Sequence, residues 1–193
     1  MRNTIAKILS AFLLFSVSSI AVAHPGHGVS GFAAGVLHPF SGLDHLLAMV
    51  AVGIWAAQSG GRKIWLLPVA FMTMLALGAA VAMQWQGLPM VEAGIAASVL
   101  ALGLLVALSV RMPALFSISI TALFGFCHGY AHGLELPASA APFGYAAGFL
   151  LATALLHLSG IAAGVAAQRH GRLLARGMGV AIAMSGAYLL LNS

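Results

Sequence analysis

Between Gly31 and Leu191 the chain runs through six apolar segments, each close to the length an α-helix needs to cross hydrocarbon, with only short breaks between them. The breaks fall at Gly60 to Lys63, Gln86 to Pro89, Arg111 to Pro113, Leu134 to Pro142 and Arg169 to Arg176. They leave segments over about residues 31–58, 64–85, 91–110, 114–133, 143–168 and 174–191. A backbone inside lipid finds no water for its amides and carbonyls, so each segment must close its hydrogen bonds internally. The pattern therefore predicts an all-α, polytopic membrane bundle of six transmembrane helices. Composition agrees, with 62% hydrophobic and 6% charged residues and a mean hydropathy of +1.06. No polar block is large enough for a second domain, so residues 24–193 are expected to form one.

Residues 1–23 have the form of a secretory signal: Arg2 and Lys7, an apolar stretch from Ile8 to Phe15, and the small-residue ending Ala21-Val22-Ala23. Cleavage after Ala23 would make His24 the mature N-terminus; the alternative is an uncleaved first helix. In both cases the positive start stays in the cytoplasm and His24 emerges outside, in the periplasm if the membrane is a bacterial inner membrane. Six spans then put Arg62, Lys63, Arg111, Arg169, Arg172 and Arg176, every basic residue after the signal, on the inner side. The formal net charge of +5 is thus topological and does not argue for a nucleic-acid partner. The lone Cys127 excludes an intrachain disulfide and a paired-thiol metal site.

Small residues recur at helical spacing. Gly31 and Gly35, Gly125 with Gly129 and Gly133, Gly144 and Gly148, and Gly160 with Gly164 each lie four apart, on one helical face, where backbones can pack closely. Gly-Phe-Ala-Ala-Gly at 31–35 also resembles Gly-Tyr-Ala-Ala-Gly at 144–148, a weak hint of an internal repeat.

The chain has three carboxylates, and Asp44 stands beside His45 in the first apolar segment, six residues after His38. Ionisable groups at such depth are costly and mark functional sites. Pro39 should break the helix near His38 and start a fresh one, and broken helices line ion sites in transporters. If the helix were continuous, His38 and His45 would share a face, and Asp44 would either ligate an ion or orient an imidazole from another helix. The fourth segment carries His128, His132 and Glu135 on one stripe, with Gly133 able to end the helix before Glu135. Alternating chain direction places both sets in the outer half of the membrane, with Glu92 opening the third segment from the same side and His157 near mid-membrane in the fifth. A solitary histidine such as His157 reads equally as a hydrogen-bonded packing residue. Four histidines and an aspartate in one leaflet are better satisfied by shared coordination than one by one.

Imidazoles with a few carboxylates and no thiolate cluster suit nickel, cobalt or zinc, and suit calcium and magnesium badly. His24-Pro25-Gly26-His27 adds an outward imidazole pair that would serve as a weak capture site or simply as a polar terminus. No prosthetic group is implied.

The run His38-Pro39-Phe40-Ser41-Gly42-Leu43-Asp44-His45-Leu46-Leu47-Ala48-Met49, the stretch Phe126-Cys127-His128-Gly129-Tyr130-Ala131-His132-Gly133 ahead of Glu135, and the signal followed by His24-Pro25-Gly26-His27 resemble the HupE/UreJ family of hydrogenase and urease accessory membrane proteins. The resemblance implies a permease for nickel, sometimes cobalt, across the inner membrane, feeding nickel enzymes with handover to cytoplasmic nickel chaperones. In that reading His38, Asp44 and His45 are core ligands, His128 and His132 complete the shell, and Glu135 and Glu92 attract ions at the entrance. Two other chemistries would use the same residues: a haem-binding electron carrier, and a membrane metallohydrolase with Glu135 or Glu92 as general base.

Overall fold

Pro39 interrupts the first apolar segment. In the computed structural model, which describes residues 31–135 and 142–193, helix α1 (Gly31–Leu37) passes through a 3-10 turn (His38–Phe40) and bends by 79° into α2 (Leu43–Ser59). The break is where the sequence puts it, but the new helix begins at Leu43 rather than at Pro39, because Gly42 takes extended dihedrals and caps it. Then follow α3 (Lys63–Ala82), α4 (Val91–Ala107), α5 (Ala114–Leu134), α6 (Pro142–His170) and α7 (Arg172–Leu191). The described residues form an all-helical bundle, and the signal segment and the motif around His24 and His27 lie outside them.

Four helices are long and apolar enough to span a membrane, and the broken α1–α2 pair makes a fifth span if taken as one. Helix α4 has 17 residues, roughly 25 Å at 1.5 Å per residue, so the expected sixth span meets the bilayer only at the short end of the usual range. The outer surface suits lipid. Trp65 and Trp85, 59% and 54% exposed, flank the two ends of α3 as interfacial anchors, and Leu123, Leu151 and Leu155 are exposed between the ends of their helices.

Glycines decide which helices touch. The most extensive packing joins α3 to α5, α4 to α7, and α6 to α1 and α2. A Cβ at Gly129 would run into the carbonyl of Leu75, and one at Gly125 into that of Phe71, so α5 lies backbone against backbone on α3. Gly103, Gly179 and Gly186 do the same between α4 and α7, and Gly53 and Gly160 between α2 and α6. The two similar pentapeptides meet each other: Gly35 abuts Tyr145 and Phe149, and Gly148 abuts the equivalent Phe32 and Val36. One end of the bundle is tied by Trp55, Gln58 and Lys63, which donate to the carbonyls of Val110 (3.0 Å), Val106 (3.1 Å) and Met112 (2.6 Å). Arg62, Lys63 and Arg111 gather at that end. The intramembrane carboxylate and most of the histidines lie toward the other.

Candidate metal centre

The helix break builds the first half of the site. The 3-10 turn leaves the His38 carbonyl facing Ser41, which donates to it from its backbone amide (2.9 Å) and its hydroxyl (2.6 Å). Asp44 then falls in the first turn of α2, where a carboxylate complements the positive end of the helix. Its Oδ1 accepts from the His45 backbone amide at 2.7 Å and from the His45 Nδ1–H at 2.6 Å. That bond fixes the tautomer: His45 Nε2 keeps its lone pair, is buried, and has no hydrogen-bond partner. Asp44 thus orients its own neighbour, not an imidazole from another helix as the spacing suggested.

Gly42 makes this geometry feasible, since a Cβ there would sit 2.7 Å from Asp44 Oδ1 and 2.9 Å from His45 Nδ1. Gly42→Ala should therefore push the pair apart. The expected result is metal affinity lowered about tenfold, the smaller end of the cost of losing a ligand's outer partner, with helix content unchanged. Calorimetric titration of cobalt into purified protein beside far-ultraviolet circular dichroism checks both halves.

Helix α5 supplies the second half. His128 and His132 lie one turn apart on its buried face, and the helix ends at Leu134 with Glu135 as the capping residue, as Gly133 suggested. His128 Nδ1–H donates to the Phe124 carbonyl at 2.9 Å, which leaves Nε2 unpartnered. His132 is 3% exposed and neither ring nitrogen has a hydrogen bond. Glu135 Oε2 lies 3.0 Å from His38 Nε2 and 3.6 Å from His132 Nδ1, joining α5 to the 3-10 turn. The His132 and His38 imidazoles beside it hold the Glu135 carboxyl well below the usual carboxylate range, so it is anionic. Donor atoms of His38, His132 and Glu135 all lie within 4.8 Å of one another.

His132 is the hub. Its ring centroid is 3.9 Å from that of His45 and 4.7 Å from that of His38, and His45 in turn is 5.0 Å from His128. Helix α6 closes the side with Phe149, 4.2 Å from His132, and Tyr145, 5.6 Å from His38. Beside this file lies a cavity of about 260 Å³ lined by His38, Ser41, Gly42, Asp44, His45, Glu92, His132 and Glu135. At about 30 Å³ per water it holds roughly eight, enough for an ion that arrives with its shell.

Six of the candidate residues read from the sequence therefore line one cavity, and His128, outside its lining, packs against His45. His157 is deeper, buried on α6, with its Nδ1–H donating to the Met49 carbonyl at 2.8 Å. His24 and His27 lie outside the described residues. Phe71, Tyr145 and Phe149 pack against these histidines yet carry no sequence signal, because aromatic residues at helical spacing look the same in any core. Ser41 and Gly42 were legible only as part of the run after Pro39.

The HupE / UreJ protein family model matches residues 12–189. The chain belongs to the HupE/UreJ family. Protein HupE of Rhizobium leguminosarum bv. viciae is 44% identical to it over 190 residues, which cover 97% of this chain and 98% of the relative. No solved structure matches. The resemblance carried by the two histidine runs is borne out over nearly the whole chain, and every candidate residue of this family member falls inside the matched range.

Proposed function

We propose that this HupE/UreJ protein is a permease that takes up nickel, with cobalt as a second cargo, from the periplasm across the bacterial inner membrane for enzymes such as hydrogenase or urease. Family membership supports the coarse statement, a membrane accessory protein of metal transport. The observation that carries the finer one is the convergence of unpartnered imidazole nitrogens from α2 and α5 on one carboxylate-lined cavity with room for several waters. Buried polar atoms without partners cost about 1–3 kcal/mol each, and a bound cation would satisfy several at once.

In this reading Glu92 and Glu135 draw the hydrated ion to the rim. His38, His132 and Glu135 replace part of its water, and His38 gives up its hydrogen bond to Glu135 to do so. Nε2 of His45, aimed by Asp44, takes the ion deeper toward His128. An inside-negative potential of 100 mV supplies roughly 4.6 kcal/mol for two charges crossing completely, at about 2.3 kcal/mol each. Delivery to a cytoplasmic nickel chaperone completes the route. The haem alternative is disfavoured by the 3.9 Å between the His45 and His132 rings, which leaves no room for a macrocycle between them.

Uptake of radioactive nickel into proteoliposomes tests the proposal. Asp44→Asn keeps the size of the side chain but removes the charge that holds His45, and should lower uptake about 10- to 100-fold at equal protein level. Cobalt should compete with nickel and magnesium should not. Wild-type uptake indistinguishable from empty vesicles would reject the permease reading.

A further inference from the structure

We infer that the pathway contains a second, inner station for the ion, formed by His157 and Thr153 of α6 on the far side of Phe71 from the cavity; this rests on the permease reading above. Phe71 of α3 is fully buried, and its ring lies between two histidines, 5.5 Å from His128 and 5.1 Å from His157. The ring thus touches both the outer file of imidazoles and His157.

Two polar atoms below it have no partner. His157 is 1% exposed, and because its Nδ1–H is spent on the Met49 carbonyl of α2, its Nε2 carries a free lone pair. Thr153, one helical turn earlier on α6, is 0% exposed and its hydroxyl has no hydrogen bond. A threonine buried in a helix ordinarily donates to the carbonyl four residues back. Thr121 does so here, to Ser117 at 2.8 Å. Thr153 does not, and its oxygen shares the α6 face with the His157 ring.

The row on α6 links the two levels. Phe149 touches His132 in the outer file, and His157 lies eight residues further along, about 12 Å deeper at 1.5 Å per residue. Immediately beyond His157, Gly53 and Gly160 bring α2 and α6 into backbone contact and close the floor. The buried Nε2 of His157, whose ring packs against Phe71, and the buried hydroxyl of Thr153 one turn away form an unpartnered pair of ligand atoms next to the Gly53–Gly160 contact. Its chemistry suits the same divalent transition metal with fewer and weaker ligands than the outer cavity. Conduction needs sites weak enough to leave as well as favourable enough to enter, and a second station of lower affinity meets that need.

The test places a spectroscopic reporter at each level. In a Cys127→Ser background, His157→Cys and, separately, His132→Cys are purified in detergent and titrated with cobalt. A cobalt–thiolate charge-transfer band in the near ultraviolet is expected from both and from neither in Cys127→Ser alone. A band from the His132→Cys protein but none from His157→Cys overturns the inner station and leaves His157 as a packing residue. No band from either sinks the permease reading and the inner station together. Should His157→Cys fail to fold, Thr153→Cys in the same background answers the same question. As a transport arm, His157→Asn keeps a donor near the Nδ1 position and removes Nε2. It should lower nickel uptake about tenfold or more. Cobalt affinity of the outer cavity, about 12 Å away, should stay within about twofold. Wild-type uptake by His157→Asn overturns the inference.

Discussion

Replacing His132 by alanine should cut nickel uptake by about 100-fold or more, at or beyond the upper end of what loss of a ligand's outer partner costs. His132 lies between His38 and His45, and no other described side chain approaches both rings as closely. The same substitution should hardly disturb the fold. Neither ring nitrogen of His132 holds a hydrogen bond, although Nδ1 lies 3.6 Å from Glu135 Oε2, so alanine removes two buried nitrogens without hydrogen bonds and one ion-pair contact along with the packing of the ring against Phe149. Lost packing destabilises and lost orphans stabilise, so the net should fall within about 1 kcal/mol. Thermal unfolding of the purified variant, with uptake measured at matched protein level, tests the contrast. A variant that transports normally, or one that fails only because it does not fold, would contradict the central role given to this ring.

The second large effect concerns assembly. Gly129→Val should abolish accumulation of folded protein, because a Cβ at Gly129 would run into the Leu75 carbonyl and lie 2.6 Å from its carbon. Backbone cannot yield as a flexible side chain does, so α3 and α5 must part, and overpacking of this kind costs about 1–3 kcal/mol or more. Gly129 is flanked by His128 and Tyr130, and Tyr130 ties α5 to the α3–α4 connection by donating to Trp85 O (2.9 Å) and accepting from Leu88 N (3.1 Å). Separation of the helices would therefore displace the outer file of histidines and the loop together. Gly94→Ala and Gly177→Ala are the controls: both are helical with nothing within 4 Å, so they should accumulate normally. Membrane-fraction immunoblots and size-exclusion profiles of the three variants read the outcome directly.

Much of the site was legible because it is written locally. Pro39 announces a break, and the spacing of His128, His132 and Glu135 announces one face of α5. A continuous first helix, the alternative to a break at Pro39, would not have joined Asp44 to His45. On an uninterrupted helix adjacent side chains do not face each other. Asp44 reaches His45 only because the pair stands at a helix start, where the amide of residue 45 is free to donate and Gly42 offers no side chain to block the carboxylate. His38 and His45, which would share a face only on a continuous helix, stand on either side of a 79° bend and converge by packing against His132 from different elements. Glu135, read from the sequence both as part of the stripe with His128 and His132 and as an ion-attracting group at the entrance, meets His38 as well as His132 because it caps α5 beside the 3-10 turn.

The glycines show the same division. Spacing pointed to Gly31, Gly35, Gly125, Gly129, Gly133, Gly144, Gly148, Gly160 and Gly164; all but Gly31 and Gly144 press closely on a neighbouring helix, Gly144 standing no nearer than 3.4 Å, but spacing passed over Gly53, Gly78 and Gly103, which make such contacts singly. A lone glycine has no periodic signature, so only its partner reveals it.

Hydropathy, residue period and the order of polar side chains are properties of a short stretch of chain. From them alone follow a membrane-embedded helical protein and a stock of imidazoles and carboxylates toward one face. Rotation of each helix about its own axis is set by contacts between residues far apart in sequence, chiefly glycine against carbonyl. For that reason only the assembled bundle decides that His132 is the hub, that Phe71 packs against both His128 and His157, and that Nε2 of His157 and the hydroxyl of Thr153 are buried without a partner.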